Sequence, residues 1–319
     1  MQTRDFGRLG RISALTLGGG GIGAVWGDTD RAEATATVHA AIDAGITMMD
    51  LAPSYGDDHE AERVAGEALR AKPAPEVMIT SKVQLPDDEQ RDFAARIRRS
   101  LHASLRRLGR THLDLFLLHT HLRPRDAAAP NPPDNISWEH YRGEVVVEFE
   151  RLRDEGLIRA WGITAVGYPA TVLDALRDTP RPDAAQVIVN ALDLTGDLWP
   201  FDPQPPANED IAGMASQNGV AVSAIRVVAA GSLTAGLDRP IPADHPAALD
   251  YVRAEPFRKL AAELGETPAA LAHRYALTVP GVATVVLGVK NRAELAECVA
   301  AEARGPLTTE ELRAIRALR

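Results

Sequence analysis

A single cysteine, Cys298, is all the chain contains. It therefore allows neither an internal disulfide nor a multi-cysteine zinc site, and as a lone residue it reads as a small hydrophobe packed in a helix. Positive charge is also scarce. With 35 Lys and Arg against 44 Asp and Glu, the formal net charge is -9, which argues against a nucleic-acid partner because such binding needs a basic patch or stripe. No apolar run reaches the ~18 residues of a membrane span. The charged segment 1–10 lacks the apolar stretch of a signal peptide, so a cytoplasmic protein with no membrane partner is expected. No heptad or exposed apolar stripe stands out, and the oligomeric state is left open.

What the sequence does contain is a repeating unit. Short apolar runs at 14–17, 46–49, 77–80, 113–118, 158–163, 185–189, 220–225 and 282–287 read as eight strands. Amphipathic stretches between them, among them 61–70, 90–108 and 145–155, read as helices. Near-continuous apolar strands separated by helices imply a parallel sheet covered on both faces, and eight such units suggest closure. The expected class is α/β, a single-domain (β/α)8 TIM barrel over residues 1–319, a length normal for one such barrel. Helix punctuation agrees. Asp30 with Glu33 has capping-box spacing, Thr267–Pro268 reads as a cap followed by proline at the first helical position, and Gly156 suits a left-handed helix end. Proline-rich segments at about 121–140 and 198–208 cannot be continuous helices. They read as long loops after strands, where a barrel carries its active site.

The stretch 18–23 formally matches the dinucleotide fingerprint G-x-G-x-x-G. That fingerprint requires a helix opening immediately after it, and here the helical pattern starts only near Asp30. A glycine loop that lets a ligand approach the backbone is the expectation instead. Trp26, in the same loop, either lines a substrate pocket or packs beneath it.

Four polar residues fall at the ends of three successive strands: Asp50 with Tyr55 just beyond it, Lys82, and His119. Each alone has a plain structural reading as a cap, a half-buried ring or a solvated charge. Together they have a chemical logic. A phenol is a poor acid–base catalyst at neutral pH unless its pKa falls. An ammonium at ~4 Å with an effective dielectric of ~20 would favour the phenolate by on the order of 4 kcal/mol, so a lowered Tyr55 pKa is expected. Asp50 would hold Lys82 in place, and His119 would orient a carbonyl or relay the proton.

The surrounding segments resemble a known family. Asp50-Leu-Ala-Pro-Ser-Tyr55-Gly56, running on through Glu62-Arg63-Val64-Ala65-Gly66-Glu67-Ala68-Leu69, is similar to the signature of the aldo-keto reductase superfamily. Thr80-Ser81-Lys82-Val83 and Asp114-Leu-Phe-Leu-Leu-His119 resemble its next two motifs. Gly162-Ile163-Thr164, Gln186 with Asn190, Gly219-Val220-Ala221-Val222 and Leu287-Gly288-Val289-Lys290 extend the likeness over essentially the whole chain. The resemblance implies a nicotinamide cofactor, NADP(H) slightly favoured over NAD(H), lying across the barrel mouth. It also implies hydride transfer between its C4 and the carbonyl carbon of a small aldehyde, ketone or sugar, with Tyr55 handling the proton. By the same analogy Gln186 and Thr164 hold the carboxamide. The loop 226–236, with Arg226, Gly231 and Leu233, covers the pyrophosphate. Lys290, Asn291 and Arg292 reach the adenosine phosphate, and Gly20 and Gly288 belong to the same set. Trp26, His121, Trp138 and Trp199 would shape the substrate pocket.

Departures from the family pattern bear on the details. Thr164-Ala165 replaces the usual Ser-Asn pair, and Val189 stands where an aromatic ring often stacks on the nicotinamide. Glu294 occupies a place where NADP-dependent members carry a basic residue, although Lys290 and Arg292 pull toward a 2′-phosphate. Ile225-Arg226 resembles the sugar-dehydrogenase-like branches and hints at polyols or sugars. Two other functions compete. His119-Thr-His121 at a strand end could hold a metal in a barrel hydrolase, although further histidines at strand ends are wanting and no metal is expected. A barrel that binds cofactor without turnover would carry the same residues.

Overall fold

The computed structural model describes residues 1–85, 92–124, 135–198, 207–237 and 239–319. Eight parallel strands close into a barrel: β3 (Leu15–Gly18), β4 (Met48–Asp50), β5 (Met78–Val83), β6 (Leu113–Leu118), β9 (Ile158–Thr164), β10 (Ala184–Ile188), β11 (Ala221–Ile225) and β12 (Val282–Leu287). Their order around the barrel follows the sequence, with β12 pairing back onto β3. The protein is thus the (β/α)8 barrel that the alternating pattern predicts. Helices Arg31–Asp43, Glu60–Ala71, Phe93–Leu108, Val146–Asp154, Pro169–Arg177, Asn208–Gln217, Pro268–Thr278 and Arg292–Ala303 lie among its outer elements.

Side-chain alternation along each strand determines what faces the lumen. On β6, Leu115 and Leu117 join an inner cluster, while Phe116 and Leu118 belong to the layer between strands and helices. Met48 on β4, Ala160 on β9 and Ala184 on β10 share that inner cluster, whereas Met49, Trp161 and Ala185 face outward. The same phase, two residues on from Met48 and Ala184 and four on from Ala160, turns Asp50, Gln186 and Thr164 inward. Polar side chains therefore crown an apolar lumen at the C-terminal ends of the strands.

The other end of the lumen is closed by an antiparallel hairpin, β1 (Thr3–Asp5) and β2 (Arg11–Ser13). Its Phe6, Leu9 and Ile12 are buried against Met48, Leu115 and Leu117. At ~25 cal/mol per Å2, each such side chain contributes about 1.5–3 kcal/mol by leaving water.

Helix ends follow the signals read from sequence. The Asp30 and Thr267 side chains accept from the backbone N–H of Glu33 and Ala270, and Gly156 takes the left-handed conformation, φ 74°. The described ends of segment 121–140 carry regular structure. They form a small parallel sheet of β7 (His121–Arg123) and β8 (Asn135–Ser137), and helix begins at Trp138, seven residues before the expected start. Residues 125–134, and 199–206 of the second proline-rich segment with Trp199, lie outside the described residues, as do 90–91 of the expected helix start. The glycine stretch is also crowded from within the chain. Its backbone is approached by the chain itself: a Cβ on Gly18 would stand 2.1 Å from the Leu287 carbonyl oxygen, and one on Gly21 would stand 1.9 Å from that of Val289.

Candidate active site

Asp50 ends β4, Lys82 lies in neighbouring β5, and His119 directly follows β6, so three adjacent strands deliver three of the four side chains. Tyr55 comes from the loop after β4, and its N–H is held by the Ala52 carbonyl at 3.1 Å. Lys82 is completely buried. Its Nζ donates to Asp50 Oδ2 at 2.7 Å and to the Leu51 carbonyl at 3.0 Å, and it stands 4.5 Å from the centroid of the Tyr55 ring. The His119 ring meets that of Tyr55 edge-on, with centroids 5.9 Å apart. The four residues singled out by sequence therefore form one cluster.

Its electrostatics correct one expectation. Burial raises the Tyr55 phenol above its ordinary value, and the neighbouring Lys82 opposes that shift without reversing it. The phenol is therefore protonated at neutral pH. Burial pulls the Lys82 ammonium down, but Asp50 and Tyr55 more than offset this and leave it raised, hence charged. His119 moves in the other direction. Burial, then Lys82 and His121, lower it to about 3, so the ring is neutral throughout the physiological range. Its Nδ1 is buried without a partner.

Gln186 reaches the same cluster from the opposite wall, donating from Nε2 to Asp50 Oδ1 at 2.7 Å. Thr164, at the end of β9, donates to the Leu118 carbonyl at 3.2 Å. Trp26 links three loops. Its Nε1 would stand 2.4 Å from a Cβ on Gly20 and its Cδ1 3.5 Å from one on Gly288, while the guanidinium carbons of Arg226 and Arg239 lie 5.2 and 5.7 Å from its ring. Sequence reading missed Arg239, which carries no motif. Arg226 has φ 55° and Gly231 φ 97°, so the loop after β11 is sharply turned at both, and Leu233 is fully buried beneath it.

Beyond β12, Asn291 caps the helix Arg292–Ala303 by accepting from Glu294 N–H at 2.9 Å. Glu294 also accepts from the Lys290 backbone at 2.9 Å and its ammonium at 2.8 Å. Arg292 is paired with Glu33 at 2.8 Å. Two pocket candidates differ from each other. His121 bonds the Val166 carbonyl at 2.8 Å beside the site. Trp138 is 8% exposed and stacks near Tyr141 in the layer between strands and helices, as core residues do. Among the described residues no three His, Cys, Asp or Glu side chains stand close enough to hold a metal ion, and no helix is long and apolar enough to cross a membrane.

Comparisons with known proteins supply the class to which this barrel belongs. The Aldo/keto reductase family model matches residues 14–319, and the chain belongs to that family. It is an NAD(P)-dependent oxidoreductase acting on carbonyl or alcohol groups. Among its relatives, L-galactose dehydrogenase of Arabidopsis thaliana is 26% identical over 306 residues, 94% of this chain and 88% of that protein. D-threo-aldose 1-dehydrogenase of a Pseudomonas species is 27% identical over 250 residues, 71% and 67% of the two chains. The solved glycerol dehydrogenase of Gluconobacter oxydans superposes with a TM-score of 0.69 at 25% identity, covering 97% and 91%. The holo form of an aldo-keto reductase from Bacillus halodurans gives 0.75 at 23%, covering 100% and 96%, a likeness of fold.

Proposed function

We propose that the enzyme transfers a hydride between nicotinamide C4 and the carbonyl or carbinol carbon of a small sugar, aldehyde or ketone in the cytoplasm, with Tyr55 exchanging the proton. The observation that carries this reading is the fully buried Lys82, held by Asp50 and aimed at the Tyr55 ring. A bound nicotinamide would supply or accept the hydride. In reduction, the protonated Tyr55 hydroxyl gives its proton to the developing alkoxide. The phenolate left behind is stabilised by the Lys82 ammonium, which needs no solvent rearrangement because Asp50 has already fixed it. Neutral His119 orients the substrate oxygen through a hydrogen bond and does not act as a charged acid. In oxidation the same groups run in reverse, with Tyr55 phenolate as the base.

The donor set suits a dinucleotide. Arg226 and Arg239, both over the Trp26 ring, would hold the pyrophosphate, and Lys290, Asn291 and Arg292 lie at the opening of the helix after β12, whose N-terminal amides favour phosphate. Thr164 and Gln186 would hold the carboxamide. NADP(H) is favoured over NAD(H) because Lys290 and Arg292 are both cationic. A 2′-phosphate must exchange with Glu33 at Arg292, whose side chain is 61% exposed, so little burial opposes the exchange. Glu294 works against it. The sugar and polyol relatives, with the Ile225-Arg226 pair, support a polyhydroxylated substrate.

Fluorescence titration with NADPH and NADH, followed by turnover assays on aldoses, glycerol and methylglyoxal, tests the reading. Tight binding of NADPH and turnover of a carbonyl or sugar are the expected results. Binding of neither nucleotide would overturn the proposal.

A further inference from the structure

Directly behind Lys82, on the outer face of β5, lies a buried polar cluster with no part in the chemistry described above. Ser81 is fully buried, and its Oγ donates to Glu62 Oε1 at 2.6 Å. Glu62, likewise fully buried, accepts on Oε2 from Arg107 Nε at 2.5 Å. Arg107 also donates to Ser104 Oγ at 3.2 Å. Placing a carboxylate and a guanidinium in an apolar layer is costly, and well-packed hydrophobic residues of similar volume are often at least as stable. Stability alone does not account for the cluster.

Its connections do. Glu62 belongs to the helix Glu60–Ala71, and the N–H of its neighbour Ala61 is bonded to the Tyr55 carbonyl at 3.1 Å. Ser81 immediately precedes Lys82. A short path of covalent and hydrogen bonds therefore runs from Tyr55 through Ala61, Glu62 and Ser81 to Lys82, and Arg107, from the helix Phe93–Leu108, fixes its midpoint. The bonds of Lys82 to Asp50 and to the Leu51 carbonyl tie its ammonium to the start of the Tyr55 loop, and the cluster adds a second tie, from the end of that loop through the helix Glu60–Ala71 to the backbone of β5.

We propose that the Ser81–Glu62–Arg107 cluster is a positioning device that sets the separation of Lys82 from Tyr55. The proposal rests on the reading of Tyr55 as the proton-transfer group. Without the Ser81 hydroxyl, β5 is released from Glu62. A retreat of Lys82 from ~4 to ~5 Å at an effective dielectric of ~20 lowers its support of the phenolate about fourfold.

Phenolate absorbance at alkaline pH, with the Tyr55 contribution isolated by subtracting the Tyr55→Phe protein, measures this directly. The comparison is made at one fixed pH where far-UV circular dichroism remains native, on the wild type, Ser81→Ala, Lys82→Met and the double variant. The expected result is an about fourfold smaller Tyr55 phenolate fraction in Ser81→Ala, with no further loss when the same change is added to Lys82→Met. An unchanged fraction in Ser81→Ala, or an equal drop with Lys82 already removed, overturns the proposal. If Ser81→Ala does not fold, near-isosteric Ser81→Cys, with its weak S–H donor, should give a smaller drop, and no drop refutes the idea. Turnover of the wild type is assayed separately. Its failure would sink the proton-transfer reading and leave the effect of Ser81 on Tyr55 ionisation standing.

Discussion

Replacing Lys82 with methionine tests two consequences of one buried charge pair. Lys82 and Asp50 have side-chain exposures of 0% and 4% and are 2.7 Å apart. Removing one member strands the other in a low-dielectric site, at a cost of about 3–5 kcal/mol. In a urea melt this should appear as a lower midpoint at an unchanged slope. Activity falls for a separate reason. An ammonium and a phenolate at ~4–5 Å with an effective dielectric of ~20 attract by about 3–4 kcal/mol, so kcat should drop by a factor of roughly 10²–10³ while NADPH affinity changes little. The two effects can be uncoupled. Adding Asp50→Asn to Lys82→Met removes the stranded charge and keeps an oxygen for the Gln186 amide, which donates to Asp50 at 2.7 Å. Most of the lost stability should return in the double variant, and none of the lost kcat. Near-normal turnover in Lys82→Met would refute the role assigned to the ammonium. A double variant no more stable than the single would refute the account of its stability.

Tyr55→Phe should lower kcat by about 10²–10⁴, the usual worth of a general acid–base group, with nucleotide affinity unchanged in titration; full activity would end the assignment. His119 titrates near 3 when folded and at its ordinary 6.5 when unfolded. Its neutral form therefore stabilises the fold above pH 6.5, and that contribution is lost as pH falls toward 3, by up to about 1.4 kcal/mol per pH unit. Melting curves between pH 7 and 4 should fall less steeply for His119→Gln than for the wild type, and the reduction rate should show no histidine titration between pH 5 and 8. Gly18→Ala pushes a Cβ to 2.1 Å from the Leu287 carbonyl and should lower stability by about 1–3 kcal/mol. In contrast, Gly213→Ala, in the helix Asn208–Gln217 with nothing within 4 Å, should raise it by about 0.4–1 kcal/mol. Thermal melts of this pair check whether close backbone approach, and not glycine as such, governs these sites.

The barrel was legible in the sequence because strands buried on both faces leave near-continuous apolar runs: 113–118 and 282–287 match β6 and β12 residue for residue. The site was legible because barrel topology turns strand ends into neighbours, so Asp50, Lys82 and His119 could be grouped before any coordinate was known. The N-terminal hairpin was not, since β1 and β2 are three residues each and mostly polar, too short for a period to register. The direction of the Tyr55 shift was also hidden. A pairwise sum with Lys82 omits desolvation, and burial is the larger effect. The stacking of Arg226 and Arg239 on Trp26 joins residues 200 or more positions apart, and no local pattern announces such a contact.

The hydrogen bond between Gln186 and Asp50 spans the barrel. Their strands, β10 and β4, are separated by three others in either direction around the ring. The bond is thus a strut across the full diameter, and it couples opposite walls that share no backbone pairing. The Gln186 amide nitrogen carries two N–H donors and spends one on Asp50, so a ligand that takes the other leaves the strut in place. The Asp50–Lys82 pair is therefore braced from the far wall by a single side chain, and its position depends on β10 as well as on its own strands.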